Sequence, residues 1–228
     1  MTTLSICLAG PMQAWGASSR FTSRETRPEP TKSGVLGLLA AAQGIRRTES
    51  IEHLLGLSFA VRVDQPGTLM RDFQVAKSLD DKRTMPLSNR YYLADAIFVA
   101  AVEGDENLVR SLADAIRRPT YPLYLGRRSC PPSRPLFLEV RGAPLVEVLA
   151  DTPWQASIEF RRKQGKSVSL RIASDGRPGS GDTVRDVPVS FDPRRREYAR
   201  RHVEETWVTV ENADGRDVHD PMAILGGA

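Results

Sequence analysis

The stretch YLGRRSCPP, Tyr124 to Pro132, sets Arg127 and Arg128 beside the Cys130 thiol and two prolines. Three chemistries fit it: a nucleophile or metal site at Cys130, a basic loop for an anionic partner, or a solvated turn. A nucleophilic cysteine needs a histidine base in an electropositive, accessible setting. The arginines supply charge, but no histidine lies close in sequence. Cys7 and Cys130 are far apart, no CxxC occurs, and His53, His202 and His219 keep no ligand-like spacing with them. That argues against structural zinc and against a disulfide. The carboxylates of DDK and SDGRPGSGD lack the spacing of a calcium loop. No metal and no cofactor is expected.

Other anion-binding patterns are sparse. There is no GxxxxGK[ST] and no GxGxxG after a strand. SGVLG carries a GxxG at a helix start, which reads mainly as small residues allowing close packing. Lys32 and Ser33 sit at that helix N-terminus, whose free N–H groups can receive an anion. Acid–base cleavage of RNA needs a base, an acid and a cation within hydrogen-bond reach. The three histidines read as structural or solvent-facing. Tyrosine or lysine could stand in for them, so a nuclease stays open as the alternative.

The formal net charge is +4, from 32 Lys and Arg against 28 Asp and Glu. Basic residues cluster in SSRFTSRETRPEPTKSG, LGRRSC, EFRRKQGK and DPRRREYARR, whereas VEETWVTVENADGRDVHDP is acidic. Separate basic islands suit a phosphate backbone, and a planar guanidinium grips phosphate bidentately and stacks on bases. An arginine-favouring GC-rich coding sequence accounts for the same composition equally well.

These residues need a scaffold. With 228 residues, 40% hydrophobic and 26% charged, the chain suits a globular protein of one large or two modest domains. It has no run of about 18 apolar residues and no basic leader, which points to the cytoplasm. TLSICLAGP reads as a first strand, followed by a polar loop from Met12 to Pro30 that includes Phe21. TKSGVLGLLAAAQGIRR gives a helix capped by Thr31 or Ser33. SFAVRVD is a second strand. Asp64 to Asn89 suggests a projecting hairpin with a mobile tip at Leu79 to Pro86. RYYLADAIFVAAVEG is a third strand, DENLVRSLADAIRRP an amphipathic helix capped by Asp105, and YPLYLG a last strand. From Ala143 onward the chain looks β-rich and arginine-rich. The order is a split β-α-β, as in ferredoxin-like and RNA-recognition modules.

AGPMQAWG, RETRPEPTKSGVLGLLAAAQGIRR, FAVRVD, RYYLADAIFV and YLGRRSCPPSRPLFL occur in one order between Leu8 and Leu138. Together they closely resemble the CasD family, RAMP-superfamily subunits of the type I-E CRISPR Cascade complex. The resemblance implies an α+β fold: a ferredoxin-like (RRM-like) domain over 1–142 with an inserted β-hairpin thumb at about 65–89, and a small β-rich C-terminal domain over 143–228. It implies a non-catalytic subunit that binds the 5′ handle of CRISPR RNA and caps that end of the complex. Its partners would be the CasC backbone and the CasA large subunit, with target DNA met indirectly through the complex. Relatives in another subtype cut repeat RNA, so a metal-independent endoribonuclease is the alternative. The positions carried over are Gln13, Trp15, Arg24, Thr26, Lys32, Ser33, Arg90, Tyr92, Arg127, Arg128 and Ser129. Arginines would meet phosphate, Trp or Tyr would stack, and Gln and Ser would reach base edges or sugar hydroxyls. For Trp15, stacking and a core or interface role stand level. Thr26 has loop shaping as its other reading, and Tyr92 a place facing the core.

Overall fold

The computed structural model describes residues 1–16, 23–80, 82–192 and 194–216; Phe21, Asp81 and His219 lie outside them. The first strand, β1 (Thr2–Ala9), is buried along its whole length. Two short strands follow, β2 (Met12–Gln13) and β3 (Ser23–Arg24), and then helix α1 (Lys32–Ala42). Thr31 caps α1 by accepting from Gly34 N, and Val35, Leu36, Leu38 and Leu39 form its buried face. The short α2 (Glu52–Leu55) leads into β4 (Ser58–Gln65), and β5 (Thr68–Gln74) and β6 (Ser88–Ala94) then form a hairpin.

The expected third strand is in fact two. β6 ends at Ala94, and β7 (Ile97–Gly104) begins a different sheet. Between them Asp95 adopts φ 56 and donates its N–H to Pro11 O. A residue in the left-handed region cannot continue a pleat, so the chain turns there. Helix α3 (Glu106–Arg117) is capped by Asp105, which accepts from Asn107 N and Leu108 N. Its Val109, Leu112, Ala113 and Ile116 are buried. YPLYLG forms no strand. The strand expected there is β8 (Phe137–Arg141), further along the chain.

Beyond β8 come α4 (Leu145–Asp151), α5 (Ile158–Arg161), β9 (Ser167–Asp175), β10 (Asp182–Ser190) and β11 (Glu197–Glu211). One sheet has the order β10-β11-β9-β4-β7-β1-β8, with every neighbouring pair antiparallel. The strands after residue 142 therefore extend the sheet that β1 and β7 centre, through β9 against β4. Helices α1 and α3 cover one face, over Leu4, Ile6, Leu8, Phe59 and Phe98. Helix α4 covers the other, where Leu145 and Leu149 meet Ala60, Val99 and Ala101. Coverage on both faces explains why β7 reads as a near-continuous apolar run without clean alternation.

Two ionic clusters tie the later strands to the earlier ones. Arg62 and Asp64 form a fully buried pair at 2.7 Å, and the Arg62 guanidinium also donates to the carbonyls of Leu149, Thr152 and Pro153. Those carbonyls belong to the end of α4, where a cation is favoured. At the start of α1, Lys32 Nζ pairs with Asp175 and its backbone N–H donates to Asp186. Arg201 bridges both carboxylates, at 2.9 Å and 2.7 Å.

A candidate nucleic-acid interface

β6 is the middle strand of a second, smaller sheet. β5 lies along one side, and β2 and β3 pair with the other. Arg24 stands opposite Arg90, and Arg90 opposite Asp72, so the three share one face. Tyr92, two residues on, lies on that face too. Asp72 forms no ion pair with Arg90; its carboxylate accepts from Phe73 N and from Gln74 Nε2. Arg90 Nε is buried with no hydrogen-bond partner among the described residues.

The YLGRRSC loop docks against this sheet. Ala14 N donates to Leu125 O, and Leu125 N to Cys130 O, closing a tight turn. Gly126 has φ +89, and a Cβ there would lie 1.7 Å from Ala14 O, so only glycine fits. The turn aims Arg127 across the sheet. Its Nη1 donates to Tyr91 O at 3.1 Å and its Nη2 to Arg24 O at 2.8 Å. The guanidinium lies 4.6 Å from the Tyr92 ring centroid, a cation–π contact of about 0.5–1 kcal/mol. Arg24, Arg128 and Ser129 are exposed, and neither the Arg24 nor the Arg128 guanidinium has a partner among the described residues.

Apart from the half-buried Thr26, the carried-over residues divide into two groups. Arg24, Arg90, Arg127, Arg128 and Ser129 gather at one surface. Gln13, Trp15, Lys32, Ser33 and Tyr92 are buried, which runs against the direct contacts expected of them. Gln13 Nε2 donates to Leu8 O and Ala96 O, while its Oε1 accepts from Trp15 Nε1 at 3.0 Å. With those bonds made, and no exposed surface, Gln13 has nothing to offer a base edge. Trp15 is 1% exposed and packs on Gly34 of α1, which settles its two readings in favour of the core. Thr26 Oγ1 accepts from Trp15 N and donates to Arg27 O, shaping the loop. Lys32 is held by Asp175, Ser33 Oγ lies 3.3 Å from Thr31 Oγ1, and Asp186 occupies the helix N-terminus expected to take an anion.

Burial pushes the Cys130 thiol above its ordinary value despite the opposing Ser129 and Arg127 contacts, leaving it protonated and 1% exposed. Burial likewise pushes Cys7 up to about 11. His53 is exposed beside Gln43 Oε1, and His202 Nε2 accepts from Gly179 N. Among the described residues no group of three or more His, Cys, Asp or Glu could hold a metal. Sequence reasoning missed the exposed hairpin face with Leu69 at 62% and Phe73 at 66% exposure. The alternation of Leu69, Arg71 and Phe73 carried that signal.

A family model described as CRISPR-associated protein (Cas_Cas5) matches residues 3–204. The chain is 39% identical over 155 residues to "CRISPR system Cascade subunit CasD" of Escherichia coli (strain K12), covering 59% of this chain and 69% of that protein. A solved chain in "CRISPR RNA-guided surveillance complex" superposes with TM-score 0.77 at 32% identity, over 98% of this chain and 97% of the other. Another, "Crystal structure of Cas protein", gives TM-score 0.71 at 38% identity, over 95% and 98%.

Proposed function

Because the chain belongs to the CRISPR-associated Cas5 family, we propose that it is a non-catalytic RNA-binding subunit of a CRISPR Cascade complex. In this reading it holds the 5′ handle of CRISPR RNA and caps that end of the assembly. It does so beside a CasC-type backbone and a CasA-type large subunit, and meets target DNA only through the complex, in the cytoplasm. The observation that carries the reading is the Arg24–Arg90–Arg127 cluster. Its guanidiniums share one surface with Arg128 and Ser129, and none of the three is in an ion pair among the described residues. Uncompensated guanidiniums of that kind suit the phosphates of a kinked single strand, with Ser129 available to a sugar hydroxyl.

The architecture fits that role. The strand order β8-β1-β7-β4 with α1 and α3 on one face supports a ferredoxin-like unit over 1–142. The β5–β6 hairpin, Thr68–Ala94, overlaps the thumb expected at about 65–89 and serves as it in this reading, and 143–228 is the smaller β-rich part, whose β9, β10 and β11 extend the same sheet. In the hairpin tip Ser78 N bonds Arg83 O and Met85 N bonds Ala76 O. No membrane anchor is invoked, and among the described residues no helix is long and apolar enough to cross a membrane.

The test is binding of a labelled handle RNA by the full chain, alone and with its partner subunits, with and without EDTA. Retention of uncut RNA is expected, salt-sensitive and tightest with the partners present. Arg127→Ala/Arg128→Ala is expected to weaken binding and assembly while the protein stays folded. Specific cutting of repeat RNA by the chain alone would replace this reading with the endoribonuclease. Unchanged RNA binding by that variant with a collapsed Tm would make the arginines structural.

A further inference from the structure

The β10–β11 hairpin carries two sets of arginines with opposite fates. Arg201 faces inward and is matched by Asp175 and Asp186. Arg185 and Arg200 stand directly opposite each other on the outward face, both exposed. Like charges opposed across an antiparallel pair repel each other. Arg185 Nε donates to Tyr198 O, but neither residue has a carboxylate partner among the described residues. The connecting turn adds Arg194, Arg195 and Arg196, all exposed; Glu197 lies 3.9 Å from Arg195 Nε, and the Asp192 carboxylate accepts from the Arg194 backbone N–H, so three guanidiniums face two carboxylates. A hairpin that neutralises its inward charge and leaves its outward charge opposed has a surface complete only with an anion.

We propose that this outward face is a second nucleic-acid surface, separate from the Arg127 loop, that takes the phosphate backbone of a double helix. β10 is the rim strand of the large sheet, whereas the Arg127 loop docks on β6 and β3 of the smaller one, so the two sets of arginines belong to different sheets. The chemistry also differs between them. Single-stranded binding draws on open aromatic rings, whereas Tyr198 on this face is half-buried. What the face offers is a row of guanidiniums at strand spacing, which suits sequence-independent contact with successive phosphates.

The test uses the full chain and a labelled 24-base-pair duplex of arbitrary sequence, as DNA and as RNA, in anisotropy titrations from about 50 to 300 mM salt. Each phosphate contact contributes about 0.9 to the log–log salt slope. Arg200→Glu removes a contact and converts a repulsive pair into an attractive one. It is expected to weaken duplex binding about tenfold and to flatten the slope by about 1–2. The same change is expected to raise Tm by about 1–2 °C. The turn variant Arg194→Ala/Arg195→Ala/Arg196→Ala, which touches no core residue, is expected to lower affinity and slope in the same sense. Binding of either duplex with these losses supports the proposal, and Arg127→Ala/Arg128→Ala should leave duplex binding unchanged. The proposal fails if both hairpin variants bind duplex like the wild type, or if a 24-nucleotide single strand outcompetes the duplex. It also fails if duplex binding disappears in the Arg127/Arg128 variant instead. Loss of handle binding alone bears only on the first site.

Discussion

Gly126→Ala tests the docking of the arginine loop most directly. At φ +89 an alanine costs about 1–2 kcal/mol in the left-handed region. The larger effect is steric, because its Cβ would lie 1.7 Å from Ala14 O, a backbone atom that cannot swing aside. The loop must lift, giving up the Ala14 N–Leu125 O bond and straining the two bonds from Arg127 to Tyr91 O and Arg24 O. At about 1 kcal/mol for the neutral bond and somewhat more for the charged ones, the sum is roughly 3–5 kcal/mol. For a chain of this size that lowers Tm by about 10 °C. Thermal melts followed by circular dichroism read the stability, and anisotropy with handle RNA reads the grip, which should fall because Arg127 no longer lies over Tyr92. Gly142→Ala is the control: a Cβ there meets nothing within 4 Å, and the expected effect is near zero. A Gly126→Ala protein with wild-type Tm and wild-type RNA affinity would refute the docked loop.

Three further outcomes follow from buried groups. Gln13→Leu strands the carbonyls of Leu8 and Ala96 and the Trp15 indole N–H, and should cost about 2–4 kcal/mol by urea denaturation. Arg62→Met leaves Asp64 charged and unpaired in a site with no exposure, and should cost about 3–5 kcal/mol in the same assay. Burial lifts the Cys7 thiol from 9.0 to about 11, so the unfolded chain loses this proton first. Stability is therefore full below pH 9 and declines towards pH 11 by up to roughly 3 kcal/mol, a slope that Cys7→Ala should flatten.

Much of the framework was legible because local signals agreed with the tertiary outcome. Thr31 and Asp105 mark helix starts by side-chain geometry alone, and SFAVRVD alternates with strand period although both its faces are covered, its polar face being matched by the Arg62–Asp64 pair. RYYLADAIFV misled because only Asp95 interrupts its apolar run, and the turn there depends on a bond to Pro11 O from a distant segment. YPLYLG looked like a strand for the same reason: its Leu125 pairs with Cys130 O in a turn, not with a neighbouring strand. At the interface, sequence gave the arginines but not their depth. Gln13, Trp15 and Tyr92 are residue types that can read RNA. Only the placement of Leu8 O, Ala96 O and Gly34 around them shows that they brace the surface from beneath. Lys32 was an apparent anion ligand until Asp175 and Asp186, more than a hundred residues away, took its charge and its helix end.

The pairing of β9 with β4 has a consequence for dissection of the chain. Cutting at residue 142 would turn β4 from an interior strand into a bare rim, freeing the backbone groups that now meet Ile172 to Ser174. It would also remove the carbonyls of Leu149, Thr152 and Pro153 from around Arg62, leaving its guanidinium with Asp64 alone as acceptor. Such a fragment would present a long, largely apolar template for intermolecular strand addition. The two parts of the chain are thus bound by solubility as well as by stability: the later strands act as the sheath that keeps the earlier ones from polymerising.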